Sequence, residues 1–143
     1  MRIYQYVFVD SDEIRSLASV IMHKPKALNK IRTRRKNRAR VKMFGTKEKP
    51  RLSVFRSNQA SYAQLIDDEE GKTLVSSSTA EIKGVGAKEK NKNIVKAKML
   101  GELIAERALK AGITKAMFDR GDKKYHGRVK AVAEGAREKG LKI

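Results

Sequence analysis

Residues 52–79 read LSVFRSNQASYAQLIDDEEGKTLVSSST, and this stretch decides the fold. It contains three short runs rich in apolar, β-branched and aromatic residues, at Leu52–Arg56, Ser61–Ile66 and Thr73–Thr79. Turn-forming residues connect the runs: Ser57-Asn58-Gln59 follows the first, and an acidic turn ending in Gly71 follows the second. Strands joined by short polar turns pair with their neighbours, so the stretch predicts a three-stranded antiparallel meander.

The residues after the meander predict a helix, a strand and a second helix. The first helix, capped by Asn91 or Asn93, should continue to about Lys110. A short buried strand at Lys115–Asp119 follows it, as the last strand of a crossover unit would, and a helix near Arg128–Lys139 comes after the strand. The order of elements therefore indicates an α/β sandwich.

Small residues and glycines shape these two helices. The first has Ala97, Gly101 and Ala108 in line on one face, which should let it lie close against a sheet. Gly112 and Gly140 follow the two helices, where a glycine with left-handed backbone commonly ends a helix.

A dense run of cations precedes the meander. Residues 30–42 read KIRTRRKNRARVK and contain no acid; the cations are Lys30, Arg32, Arg34, Arg35, Lys36, Arg38, Arg40 and Lys42. The absence of Gly and Pro permits a helix, but mutual repulsion should fray it until a polyanion neutralises the charges. A solvated charged face usually mixes both signs, so this one-sign run favours a nucleic-acid-binding arm.

The charge of the whole chain is concentrated around this arm. The formal net charge is +18 over 143 residues, and residues 22–51 account for +12 of it. A membrane surface fits poorly, because the arm has no apolar face and the chain has no apolar run long enough to span a bilayer. The absence of cysteine excludes disulfides, and two histidines leave little for a zinc site. We therefore expect a cytoplasmic RNA- or DNA-binding protein.

Composition also suggests three segments: an extension of unknown role at 1–21, a basic RNA-binding arm at 22–50 and a globular domain at 51–143. The extension begins with strand-like residues, but Asp10, Asp12 and Glu13 interrupt what would be the apolar core of a signal peptide. Because Met22 opens the basic part, translation could also start there. We expect the extension to be dispensable.

A second basic segment lies between the last strand and the last helix. Residues 118–129 read FDRGDKKYHGRV, in which cations surround Tyr125 and His126 and two glycines permit tight turns. Cations that contact phosphate beside rings that stack on unpaired bases suit RNA. The alternative is a surface loop with Tyr125 tucked into the core.

Catalytic and metal-binding sites are weakly supported. His126 has no Ser, Cys or second His near it in sequence to form a catalytic relay. The run Asp67-Asp68-Glu69-Glu70 could in principle hold a divalent metal, but we interpret it as a solvated hairpin turn. Residues 84–86, Gly-Val-Gly, are too short for a phosphate loop. We expect no cofactor, no metal and no small-molecule substrate.

Four ordered motifs, the last of them in two parts, carry a resemblance to a known family. They are KPRLSVFRSN at 49–58, YAQLIDD at 62–68, LIAERA at 103–108, FDRG at 118–121 and KYHGRVKA at 124–131. From about Met22 to Ile143 the sequence closely resembles bacterial large-subunit ribosomal protein eighteen. Asp122 and Lys123 depart from the family, which usually has Gly and Tyr there.

This resemblance implies a ribonuclease-H-like α/β core used without catalysis and preceded by a basic tail. It implies binding to 5S rRNA in the central protuberance, with contacts to 23S rRNA and to neighbouring large-subunit ribosomal proteins. Besides the eight cations of the arm, the residues expected to contact RNA are Arg51, Arg56, Ser57, Asn58, Arg120, Lys124, Tyr125, His126 and Arg128. Two other classes of function stay open at this point: an RNA-processing nuclease on the same kind of core, and a DNA-compacting protein.

Overall fold

The computed structural model describes residues 27–82 and 91–143. The extension at 1–21 and the glycines at 84–86 lie outside these residues. The chain divides into two compact units between Arg34 and Arg35, so the division falls inside the basic arm. Within the described ranges, no helix has the length and apolar character needed to cross a membrane.

Of the described residues of the basic arm, 27–40 are helical, and we name this helix α1. Thr33 Oγ1 donates a hydrogen bond of 2.9 Å to the carbonyl of Asn29, and the side chains up to Arg38 are exposed. The expected fraying in the absence of a polyanion stays a prediction. The Arg- and Lys-rich composition permits helix, and the last turn is held by Arg40, whose charge is neutralised within the second unit.

The sheet is mixed and has four strands in the order β3-β2-β1-β4. Its strands are β1 (Arg51–Arg56), β2 (Ser61–Asp67), β3 (Lys72–Ser78) and β4 (Met117–Asp119). Both β1–β2 and β2–β3 are antiparallel, which confirms the meander, and β4 lies parallel to β1 as a crossover requires. The fourth strand is shorter than predicted, because Lys115 instead bridges to Lys142 near the C-terminus.

Two helices cover one face of this sheet: α2 (Lys92–Lys110) and α3 (Arg128–Glu138). Both end as their glycines predict, with Gly112 at φ 79° and Gly140 at φ 96°. The amides two residues beyond each C-cap bond back across the last turn, Ile113 N to Ala108 O at 2.9 Å and Leu141 N to Ala136 O at 3.1 Å. These bonds satisfy carbonyls that a helix end otherwise leaves without partners. Asn91 occupies the N-cap position of α2, but its side chain makes no capping bond.

Alternation along the strands separates a buried sheet face from an open one. In β2 the side chains of Ser61, Ala63, Leu65 and Asp67 are buried, while Tyr62 and Gln64 between them are exposed. The buried face packs against the helices, and the fully buried large apolar side chains of this core are Leu52, Leu65, Leu100, Ile104, Val129, Val132 and Leu141. In its described part the structure is thus a two-layer α/β sandwich, with α2 and α3 on one face of the sheet.

The small residues of α2 permit close contact with α3 rather than only with the sheet, which corrects our expectation for Gly101. A Cβ atom at Gly101 would lie 2.1 Å from the carbonyl oxygen of Val132 on α3. Reciprocally, a Cβ at Gly135 would lie 2.2 Å from the carbonyl oxygen of Lys98 on α2. Two backbones therefore meet where neither helix has a side chain, and this pair of glycines sets the distance between the helices.

We predict that Gly101→Ala destabilises the protein although alanine is the better helix former. Helix propensity alone would favour the substitution by about 1 kcal/mol, whereas the clash with the α3 backbone should cost about 1–3 kcal/mol or more. Thermal or urea unfolding measures the balance. Val95→Ala, at an exposed position of the same helix, is the control and should change stability little. A Gly101→Ala variant as stable as its parent would contradict the close packing.

Candidate nucleic-acid interface

A buried carboxylate at the end of β4 ties the arm to the sheet. Asp119 is 0% exposed. Its Oδ2 atom accepts hydrogen bonds from Arg40 Nε at 2.8 Å and from Arg51 Nη1 at 2.9 Å, and Arg40 Nη2 lies 2.7 Å away. The other oxygen, Oδ1, accepts a bond of 2.8 Å from the amide of Gly121. Asp119 thus joins the last turn of α1, the first residue of β1 and the loop after β4.

Arg51 extends these contacts to a second carboxylate, Asp68. Arg51 Nε and Nη2 donate to the two oxygens of Asp68 at 2.8 and 2.5 Å, and Gly45 N donates to Asp68 Oδ2 at 2.9 Å. Hydrogen bonds from Arg51, and then from Gly45, lower the pKa of Asp68 to about 2. The bond to Asp68 and its charge raise the pKa of Arg51. We call Arg40, Arg51, Asp68 and Asp119 the charge network.

The charge network changes the interpretation of two predicted RNA contacts. Arg51 is only 7% exposed and its guanidinium is occupied by two carboxylates, while Arg40 is partly buried against Asp119. A buried guanidinium with bidentate partners cannot reach a phosphate without breaking charge-assisted bonds. We therefore assign both arginines an internal role and leave them out of the proposed interface.

The acidic turn is more ordered than the solvated turn that we expected. Asp67 is buried and its Oδ1 accepts from the amides of Glu69 and Glu70 at 3.0 and 3.4 Å, while Asp68 belongs to the charge network. Glu69 and Glu70 are exposed. Among the described residues no group of three or more potential ligands is arranged to hold a metal ion.

The predicted arm and the predicted last loop meet at one groove. This arm groove is lined by Arg35, Arg38, Ala39, Arg120, Gly121, Asp122 and Lys124. Of its cations, none forms an ion pair with any carboxylate in the described part of the chain. Asp122 pairs with Lys123 at 2.9 Å. Positive charges that line a concave surface without matching acids suit a phosphate backbone.

The loop that forms one wall of the arm groove is held by its own backbone. Gly121 has φ 60° and Gly127 φ 54°, and Arg120 Nη1 donates to the carbonyl of Lys123 at 2.8 Å. Tyr125 packs edge-on against Phe118 with ring centroids 5.8 Å apart, yet it remains 42% exposed. The sequence suggested either a ring that stacks on RNA bases or a ring packed into the core. In the structure, Tyr125 packs on one side and is accessible on the other. His126 is exposed.

A second cationic groove lies beside the tip of the β1–β2 hairpin. Two adjoining pockets share Lys92, Asn93 and Arg128, and we call them together the hairpin groove. Its other polar lining residues are Arg56, Gln59, Ser61, Tyr62, Thr79, Asn91 and Lys96. Burial and then the charge of Arg56 lower the pKa of Arg128. Arg128 Nη1 donates only a long bond, 3.3 Å, to the carbonyl of Ser57. None of the described residues that line this groove is a carboxylate.

Lys92 and Lys96 are functional candidates that sequence reasoning missed. Their spacing of four residues places both on one side of the first turns of α2, and the first turn of this helix contains no acid. The sequence shows this spacing, but only the fold reveals that the two lysines lie beside Arg56 and Arg128. Of the other predicted residues, Asn58 is exposed at the hairpin tip. Ser57 Oγ donates a hydrogen bond to the carbonyl of Ala60 and accepts one from its amide, both at 2.9 Å, and so stabilises the turn. Lys30, Arg32, Arg34, Lys36 and Lys42 are exposed.

Comparisons with known proteins agree on one family. The model of the family described as ribosomal L18 of archaea, bacteria, mitochondria and chloroplasts matches residues 26–143. A protein of Thermotoga neapolitana named large ribosomal subunit protein uL18 is 54% identical over 122 residues, covering 85% of this chain and all of that protein. A protein of the same name from Clostridium botulinum (strain Langeland) is 55% identical over 120 residues, covering 84% of this chain and 98% of that protein.

The lowered pKa of Asp68 predicts how stability depends on pH. An unfolded Asp68 titrates near 3.8 and the folded one near 2, so between these values the unfolded chain binds the extra proton. The stabilisation is therefore present above about pH 5 and is lost as pH falls toward 2. Asp68→Asn should lower stability at pH 7 by about 1–2 kcal/mol, and the difference from the parent should shrink on acidification.

Urea unfolding at pH 7, 5, 4 and 3 measures this dependence. Glu69→Gln, in the same turn but exposed, is the matched control and should run parallel to the parent. A constant gap between the parent and Asp68→Asn over the acid range would contradict the assignment.

Proposed function

This chain belongs to the ribosomal L18 family, and from that premise we propose that it binds 5S rRNA and helps to attach it to 23S rRNA in the central protuberance. It is a large-subunit ribosomal protein, a structural constituent of the ribosome rather than an enzyme. This removes the nuclease alternative. We further propose that its α/β sandwich is of the ribonuclease-H-like kind, and that residues 22–50 and 51–143 act as arm and binding domain.

The observation that carries the proposal is that some cations form ion pairs with carboxylates of the fold, whereas the cations of the two grooves do not. The two arginines of the charge network are matched by two buried or partly buried carboxylates, so they stabilise the fold. The cations of the two grooves lack such partners among the described residues: Arg35, Arg38, Arg120 and Lys124 in one, Arg56, Lys92, Lys96 and Arg128 in the other. Their mutual repulsion is relieved when phosphates approach, which favours a polyanionic partner.

Structured RNA fits these features better than DNA does. The cations of the two grooves and the exposed rings of Tyr125 and His126 come from helices, strands and loops, so they form an irregular surface and not a single continuous element. The proposal relies on RNA shape, phosphate contacts and stacking on unpaired bases. In this account the arm contributes affinity, and the folded core selects the RNA. Neighbouring ribosomal proteins of the central protuberance would be its protein partners.

We predict that neutralising three exposed arm cations weakens the salt dependence of 5S rRNA binding. Replacing Arg35, Lys36 and Arg38 by Gln removes up to three phosphate contacts, and each contact contributes about 0.7–0.9 to the slope of log K against log salt. The slope should therefore fall by about 2 units in filter-binding titrations across several salt concentrations.

The control carries the same change of charge at a different place. Lys115, Lys139 and Lys142 are exposed and line neither groove, so replacing all three by Gln should alter the slope by less than about 0.5. Equal reductions in both triple variants would mean that net charge, rather than the arm, governs binding.

A further inference from the structure

Two aromatic rings stand exposed on the open face of the sheet. Phe55 on β1 lies directly opposite Tyr62 on β2, and their ring centroids are 6.2 Å apart at an angle of 34°. Phe55 is 62% exposed and Tyr62 41% exposed. Among the described residues, α2 and α3 pack on the opposite face, so the pair presents an apolar surface to solvent, whereas large rings are usually buried.

The surroundings of the pair are polar and uncharged. The alternation of the strands and their register place Ser53, Gln64, Ser76 and Ser78 on the same face. These side chains offer hydroxyl and amide groups that can donate or accept hydrogen bonds. None is a carboxylate. Asp119, which the register places beside Ser53 on the same face, is buried and paired with Arg40 and Arg51, so it presents no free acid to a polyanion.

The pair also continues into the cationic surface. Arg56 follows Phe55 at the end of β1, and it lines the hairpin groove. Tyr62 itself lines the same groove, together with Lys96 and Arg128. An RNA strand with phosphates in the hairpin groove would therefore have its next bases within reach of the two rings.

We propose that Phe55 and Tyr62 form a stacking platform for an unpaired RNA base, next to the cations of the hairpin groove that would bind RNA phosphates. The proposal rests on the RNA-binding function proposed above and adds a site to it. Aromatic side chains on exposed strands hold bases through their π-faces, which is independent of charge. The complementarity of the neighbouring cations favours RNA over an apolar protein surface as the occupant.

Substitutions that remove or retain the rings test the platform in the full-length protein. Tyr62→Leu and Phe55→Leu keep an apolar side chain without a π-face, and each should weaken binding to a 5S rRNA transcript by about tenfold. The salt slope should stay unchanged, because no phosphate contact is lost. Tyr62→Phe and Phe55→Tyr retain the ring and should bind within about twofold of the parent. Binding to a blunt RNA duplex should not respond to any of the four.

Photocrosslinking provides a readout that does not depend on how the variants fold. 5S rRNA that contains 4-thiouridine should crosslink to the peptide carrying Phe55 or Tyr62, identified by mass spectrometry. Two results together would overturn the proposal: leucine variants that melt like the parent and bind 5S rRNA within twofold of it, and a parent protein that forms no crosslink at Phe55 or Tyr62. A protein partner would then be the better candidate for this face. Failure of the RNA-binding function itself looks different, since the parent would then show no salt-dependent binding to 5S rRNA, and that result would overturn both proposals.

Discussion

The contact on which the rest of the structure depends is a buried carboxylate shared by two arginines. Asp119 lies at the end of the last strand with no exposure, and its negative charge is tolerated because Arg40, Arg51 and the amide of Gly121 surround it. Removing one member of such a group leaves a charge buried without compensation, which typically costs about 3–5 kcal/mol. The charge network therefore fixes the last turn of α1, the start of β1 and the loop after β4 with a single set of bonds.

This arrangement divides the cations of a very basic chain into two kinds. A few are neutralised internally and belong to the fold, as Arg51 is. A second group lines the two grooves, where cations outnumber acids, and repulsion between Arg56 and Arg128 is one sign of the cost. An RNA partner relieves that repulsion. Stability and RNA affinity are thus carried by different cations, although the two kinds alternate along the same sequence.

Local patterns predicted the architecture well, because strands, turns and helix ends follow from neighbouring residues. The meander came from alternating side chains and polar turns, and Gly112 and Gly140 marked the helix ends. Long-range pairing could not be predicted in the same way. Arg51 resembles any other arginine of a basic segment until the fold brings Asp68 and Asp119 to it. For the same reason Gly101 was expected to approach the sheet, whereas its close partner is another helix.

Two arginines two residues apart on α1 allow the most direct test of this division. Arg40 pairs with the buried Asp119, whereas Arg38 lines the arm groove without an ion pair among the described residues. Arg40→Gln and Arg38→Gln remove the same charge, so thermal unfolding and 5S rRNA affinity should be measured for both. We expect Arg40→Gln to lower the melting temperature by several degrees, since a loss of about 1 kcal/mol corresponds to about 2–8 °C in a domain of this size. Arg38→Gln should melt like the parent and bind RNA more weakly. Identical melting temperatures for the two variants would contradict the account.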